Sequence, residues 1–242
     1  MRLKALIFDV DGTLAETEEA HRCAFNEAFR KHGLHWNWSK PAYARLLSIT
    51  GGKERLAFYM ESLPLTDDGR RAMIQRIGAI HETKTQIYGS MVAAGQVPLR
   101  DGVERLIEEA AAANVQLAIA STTTLANIEA LLRATLGRYS MQRFAVVGAG
   151  DLVRHKKPAP EIYRFVLREL GHPVRECLAI EDSSSGLTAA KAAGLFTVVT
   201  PSDWTRAQDF SAADLVLPDL STLGIREIGE QLAAVPGTPS AA

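Results

Sequence analysis

Asp9 and Asp11 stand one residue apart in Phe-Asp-Val-Asp-Gly-Thr, directly after the apolar run Leu3–Phe8. A strand ending there delivers two carboxylates to one place, and Gly12 and Thr13 then break it. Two such charges about 4 Å apart repel by about 4 kcal/mol at an effective dielectric of 20. A cation, a shared proton or divergent side chains must offset that. Hard oxygen ligands of this kind select Mg²⁺ over softer metals. The bland alternative is a pair of turn-forming aspartates, one of them capping the next helix.

Three further segments decide between these readings. Leu117–Ala120 is a second apolar run and leads into Ser121-Thr122-Thr123-Thr124. Ser121 sits where a strand gives way to a helix, so its hydroxyl and nearby N–H groups can face an anion; helix capping is the alternative. Thr122, next in the run, is a candidate substrate contact. His155-Lys156-Lys157-Pro158-Ala159-Pro160-Glu161 marks a helix start, and Lys157 can extend into a site as a point charge for phosphate and a carboxylate partner. Leu178-Ala179-Ile180 then delivers Glu181 and Asp182 to another strand end.

The elements that must position these groups alternate. Short apolar runs at Leu3–Phe8, Val115–Ala120, Phe144–Val147, Cys177–Ile180 and Phe196–Val199, with a weaker one at Asp214–Leu217, read as strands covered on both faces. Helical patterns at Val103–Ala113, Leu125–Leu136, Pro160–Leu170 and Leu187–Ala193 lie between them. That rhythm predicts an α/β fold with a doubly wound parallel sheet, whose strand ends share one edge. Acid pair, hydroxyl, lysine and acid pair then converge.

The rhythm is absent between about residues 16 and 95. Glu18–Lys31, Pro41–Leu47, Lys53–Ser62 and a long stretch from about Asp67 to Ala94 read as helices. We expect a core of residues 1–15 and 96–234, an inserted helical cap of residues 16–95, and a disordered tail at 235–242. In the cap, Thr50-Gly51-Gly52-Lys53-Glu54-Arg55 opens a helix. Gly51 and Gly52 allow close backbone approach, and Lys53 or Arg55 with the helix start can hold a second phosphate. The segment is not a P-loop, since Glu54 stands where Ser or Thr is required.

Composition bounds the rest. The 242 residues are 47% hydrophobic and 23% charged, with a net charge of -1, and a chain of this size buries roughly three-quarters of its unfolded surface. No global basic excess points to nucleic acid or an acidic membrane. Two cysteines without metal-ligand spacing fit a reducing, cytoplasmic setting. Neither a signal peptide nor a membrane span is expected. His32 and His35 have no ligand arrangement, Gly148-Ala149-Gly150 is a plain turn, and Ser183–Ser185 sit in no nucleophile-elbow frame.

The ordered set Asp-Val-Asp-Gly-Thr, Ser121, Lys157-Pro158 and Glu181-Asp182 resembles the four motifs of the haloacid dehalogenase superfamily. Gly-Leu-x-Ala-Ala-x-Ala-Ala-Gly at Gly186–Gly194 is similar to its β-phosphoglucomutase-like branch. Thr-Leu-Ala-Glu-Thr-Glu-Glu-x-His, the paired Trp36 and Trp38, and Thr-Gly-Gly-Lys-Glu-Arg resemble the CbbY-type subgroup. The resemblance implies an Asp9 nucleophile that forms an aspartyl phosphate, and an Asp11 acid and base. It implies Mg²⁺ held by Asp9, the Asp11 main-chain carbonyl and Asp182, with Glu181 behind them or bound through water. Ser121 and Lys157 would neutralise the transferring phosphoryl group. Glu16 and His21 match positions that meet substrate in this branch, and Lys84 falls near a cap lysine of the mutases. The implied partner is a small-molecule sugar phosphate, such as xylulose 1,5-bisphosphate, and the implied state a monomer. A β-phosphoglucomutase-like mutase and a non-catalytic sugar-phosphate-binding regulator are the alternatives.

Overall fold

A computed structural model describes residues 3–234; the expected tail at 235–242 lies outside the described residues. Ala5–Phe8 (β1), Gln116–Ala120 (β2), Phe144–Gly148 (β3), Cys177–Glu181 (β4), Phe196–Val199 (β5) and Leu215–Val216 (β6) form one six-stranded sheet. Every pairing is parallel, in the order β3-β2-β1-β4-β5-β6. The order reverses direction beside β1, which pairs with β2 on one side and β4 on the other. In such sheets ligands bind outside the carboxyl ends of the strands at that point.

Alternation along β1 shows why both faces are covered. Leu6 and Phe8 pack into one apolar cluster with Leu106, Ile107, Ile128 and Leu131. Ala5 and Ile7 pack into the other with Ile162, Tyr163, Val166 and Ala190. The covering helices are Val103–Ala112 (α5), Leu125–Leu136 (α6), Glu161–Leu170 (α7), Ser184–Ala192 (α8) and Ile225–Ala234 (α9). Two differ from the sequence reading. α8 starts at Ser184 rather than Leu187 because the Ser183 hydroxyl caps it, accepting from Gly186 N at 3.2 Å. α9 is not among the expected helices, although Ile225, Ile228 and Leu232 recur at helical spacing and are all buried.

Between β1 and β2 the chain builds four helices: Glu18–Lys31, Lys40–Leu46, Gly52–Glu61 and Asp67–Ala93. We label them cα1 to cα4. They close on an aromatic cluster of Phe25, Phe29, Trp38 and Tyr43 with Leu56, Met60 and Ile80. The last turns of cα4 leave that cluster: Tyr88 and Val92 are buried in the sheet's own core beside Leu14 and Val97. Where the chain leaves and re-enters the sheet, Ala15 and Leu99 form an antiparallel bridge and Arg100 N donates to Leu14 O at 2.8 Å. Among the described residues no helix is long and apolar enough to cross a membrane.

Candidate active site

Backbone pairing brings the strand ends together. Asp9 N donates to Ile180 O at 3.0 Å, so the residue after β1 sits beside the end of β4. Ser121 N donates to Gly148 O at 2.9 Å, which holds the residue after β2 against the end of β3. Asp9, Ser121, Lys157, Glu181 and Asp182 are all buried. Lys157 Nζ donates to Asp9 Oδ1 at 2.6 Å and to Glu181 Oε1 at 2.5 Å. The Tyr163 hydroxyl on α7 donates to the same Glu181 oxygen at 2.5 Å.

One cation faces three carboxylates here. Ligand oxygens of Asp9, Glu181 and Asp182 lie within 4.8 Å of one another. Burial lifts the Asp9 carboxyl to about 8, opposed by Lys157 and reinforced by Glu181 and Asp11. Burial, then Asp9 and Glu181, likewise push Asp182 well above the usual carboxylate range. A hard divalent cation fits this set, since it would offset the excess negative charge with oxygen ligands alone. The backbone is shaped to the carboxylates. A Cβ on Gly12, whose φ is +83°, would lie 2.1 Å from Asp182 Oδ2, and one on Gly186 would lie 2.0 Å from Glu181 Oε2.

Asp11 belongs to a second chain of groups. Its Oδ1 accepts from Thr17 Oγ1 at 2.6 Å and from His21 Nε2 at 2.9 Å. Lys84 Nζ lies 2.7 Å from His21 Nδ1. An ionised carboxylate only accepts and an ammonium only donates, which fixes His21 as the neutral ring with its proton on Nε2. Burial raises the Asp11 carboxyl, but His21, Thr17 and Lys84 together outweigh it and hold the group well below the usual range. Lys84 is depressed to about 8, chiefly by burial, with Asp11 and Glu18 pulling the other way.

Above the strand ends the four-helix segment completes a cavity of about 410 Å³. Asp9, Asp11, Ser121, Thr122, Lys157 and Asp182 line it from the sheet, and His21, Gly51, Gly52, Lys53, Arg55 and Lys84 from the helices. Thr124 caps α6, accepting from Asn127 N at 3.4 Å, so Ser121 and Thr122 stay on the cavity wall. Glu16 and Glu181 are the sequence-predicted residues that do not line it; Glu181 sits behind Asp9, bonded to Lys157, and Glu16 turns elsewhere. The Glu16 carboxylate lies 3.3 Å from Arg100 Nε and accepts from Asp203 N at 3.4 Å. Arg100 also binds the carbonyls of Gly12, Thr200 and Pro201, which ties the loops around Glu16 together.

Other cavity residues escaped the sequence reading. Glu18 accepts from the Tyr43 hydroxyl at 2.7 Å, and that hydroxyl accepts from Arg55 at 3.0 Å. Lys156 pairs with Glu54 at 2.8 Å, and Thr50 Oγ1 donates to Lys157 O at 2.5 Å, so the glycine turn touches the lysine loop directly. His81 also lines the cavity. Glu18 and His81 fall on helix faces that read as ordinary amphipathic positions, while Lys156 reads as half of a solvated pair.

Residues 3–194 match the family model for haloacid dehalogenase-like hydrolases. The chain belongs to that family. As a haloacid dehalogenase-like hydrolase it is 53% identical over 230 residues to the protein CbbY of Rhodobacter capsulatus, an alignment covering 95% of this chain and 99% of the relative. The crystal structure of CbbY from Rhodobacter sphaeroides in complex with phosphate superposes with a TM-score of 0.87 at 44% identity, covering 94% of this chain and 99% of that one. A mutant of that protein in complex with xylulose-(1,5)bisphosphate gives 0.86 at 44% identity, covering 93% and 98%. The parallel sheet with its inserted helices is thus the architecture of this hydrolase family.

Proposed function

We propose that the chain is a Mg²⁺-dependent sugar-phosphate phosphatase acting through an aspartyl phosphate on a ketopentose bisphosphate such as xylulose 1,5-bisphosphate. The observation that carries this reading is a single cavity with two ends suited to anions. Asp9, Ser121 and Lys157 line it from the strand ends, and the glycine turn at the start of cα3 with Lys53 and Arg55 lines it from the helices, while Lys84 reaches Asp11 through His21. The xylulose-(1,5)bisphosphate complex of a 44% identical protein favours the same substrate class.

In this reading Asp9 attacks phosphorus and the bond to the sugar oxygen breaks. Asp11, protonated from solvent once the substrate's negative charge seats beside it, gives the departing oxygen that proton, then takes one from the water that hydrolyses the aspartyl phosphate and frees inorganic phosphate. Thr17 and His21 orient the Asp11 carboxyl for both transfers. Lys157 and Ser121 face the charge on the phosphoryl oxygens. Asp9, the Asp11 carbonyl and Asp182 would hold Mg²⁺, with Glu181 kept behind them by Lys157 and Tyr163. The bound ion would neutralise phosphoryl charge and keep Asp9 ionised. Residues 16–95 act as a lid that excludes water and selects the sugar.

A panel of pentulose bisphosphates and hexose monophosphates, compared by kcat/KM with phosphate release as the readout, tests the proposal. Preference for the bisphosphates with stoichiometric phosphate release is expected. Isomerised product without free phosphate would identify a mutase instead. Lys53→Ala should raise KM for a bisphosphate more than for p-nitrophenyl phosphate, and equal effects would remove the second-phosphate role.

A further inference from the structure

One ring in the cavity wall has no partner. His81 on cα4 is 8% exposed, yet neither ring nitrogen has a hydrogen-bond or ion-pair partner among the described residues. Its nitrogens open onto the cavity rather than being sealed within protein, so its surroundings bear on what the ring meets there. A Cβ on Gly52 would sit 2.5 Å from His81 Nε2, which places the ring edge on the first residue of cα3. The preceding residue, Gly51, supplies no side-chain cap to that helix. Unpaired N–H groups at a helix start and an unpartnered imidazole therefore face the same space, an arrangement suited to an anion.

The charged and titratable groups facing His81 come from every neighbouring element. Lys84 stands one turn along its own helix, Lys53 and Glu54 come from cα3, His21 from cα1, and Lys156 from the loop after β3. Glu54 is committed to Lys156 at 2.8 Å. Burial, then Lys84, Lys53 and Lys156, hold the imidazole down to about 3, so the ring is neutral while the cavity is empty. A phosphate monoester brings a charge of about −1.5 to −2 near neutral pH. Seated at the start of cα3, it would offset the charge of Lys84, Lys53 and Lys156 and favour the protonated ring against the burial that disfavours it.

We propose that His81 takes up a proton from solvent when the second phosphate of a bisphosphate seats at the start of cα3, and then donates an N–H to a phosphate oxygen. The inference rests on the bisphosphate reading above and adds a device to it. Only the proton moves, from water or buffer to the ring, and no bond in the substrate changes. A monophosphate held at the Asp9 end leaves the ring neutral and gains nothing from it. Discrimination for bisphosphates then includes a charge that exists only in the correct complex.

Calorimetric titration in buffers of different ionisation enthalpy counts the protons taken up per ligand. The test uses Asp9→Asn protein with Mg²⁺, xylulose 1,5-bisphosphate and, in parallel, p-nitrophenyl phosphate, which has no second phosphate to seat at cα3, at neutral pH. Bisphosphate binding should take up close to one proton more than in Asp9→Asn/His81→Gln protein. His81→Gln should weaken the bisphosphate about tenfold or more, as for a lost charged hydrogen bond, with a smaller effect on the monophosphate. Equal proton uptake in the two proteins, or equal weakening of both ligands, overturns the proposal. Should the double variant not fold, ¹⁵N shifts of the His81 ring in the Asp9→Asn protein decide: a ring that stays neutral with bisphosphate bound overturns it. A bisphosphate that binds no tighter than the monophosphate sinks the substrate reading as well. Tight binding without the extra proton sinks this inference alone.

Discussion

Lys157 reaches across the strand ends to within 2.6 Å of the Asp9 carboxylate, with side-chain exposures of 4% and 9%. The same ammonium holds Glu181, whose side chain is fully buried. Two carboxylates on adjacent strands therefore share one buried cation. Lys157→Ala leaves both buried without it, and breaking such a pair costs about 3–5 kcal/mol. We expect a lowered urea midpoint, partly restored by Mg²⁺, and a loss in kcat of about 10²–10³-fold, as for other removed electrostatic stabilisers. Wild-type turnover in this variant would exclude the charge-stabilising role.

Stability in the absence of metal should fall with pH in a defined window. The Asp9 carboxyl titrates at about 8 in the folded protein against an ordinary value of 3.8, so between these the folded state holds the extra proton. Stability contributed by this group therefore drops as pH rises. His81 works in the opposite sense between about 3 and 6.5, where only the unfolded chain is protonated. Lys84 acts between about 8 and 10.5, again raising stability with pH. The Asp9 effect is thus least opposed between 6.5 and 8. In EDTA, Tm should fall across that interval, by about 2–4 °C for each kcal/mol lost. Millimolar Mg²⁺ should flatten the decline by keeping the carboxylates ionised. Parallel curves with and without the ion would show that the acidic cluster does not bind it.

The sheet and the residues on its edge were legible because both signals are local. Continuous apolar runs mark β1, β2 and β4, and the polar residues after each run must emerge at the carboxyl end, where Asp9, Ser121 and the Glu181-Asp182 pair stand. Residues that act across the fold had no such signal. Tyr163 looks like a core aromatic in Glu-Ile-Tyr-Arg-Phe, and only the packing of α7 turns its hydroxyl to Glu181. Glu16 shows the converse: it matches a position that meets substrate in the resembled branch, yet tertiary folding presents Arg100, far along the chain, as its partner. Pairing of Lys156 with Glu54 depends on how the helical segment sits on the sheet, which no local pattern encodes.

Tyr163 gives a prediction of its own. Its buried hydroxyl and Lys157 share Glu181 Oε1, so Tyr163→Phe removes one of the two donors to that oxygen without changing ring volume. A hydrogen bond to a charged group contributes about 1.5–3 kcal/mol, and a fall in unfolding free energy of that size is expected by urea denaturation. Because Glu181 then rotates more freely beside Asp9 and Asp182, Mg²⁺ affinity measured by calorimetry should also fall, by about 10-fold or more. An unchanged affinity with the full stability loss would make Tyr163 a packing residue only.

Two glycines separate crowding at the site from ordinary helix propensity. Gly186 lies in the first turn of α8, and a Cβ there would meet Glu181 Oε2 at 2.0 Å and its Cδ at 2.1 Å. The carboxylate cannot retreat easily, because Lys157 and Tyr163 hold its other oxygen. Gly186→Ala should therefore displace Glu181, weaken Mg²⁺ binding and reduce turnover, although alanine is the better helix former. Gly78 is the control: it lies within cα4, and a Cβ there would meet nothing within 4 Å. Gly78→Ala should leave kcat unchanged and raise stability by about 0.5–1 kcal/mol. If Gly186→Ala instead matched Gly78→Ala in both stability and Mg²⁺ affinity, close packing of Glu181 against α8 would not be what fixes the acidic cluster.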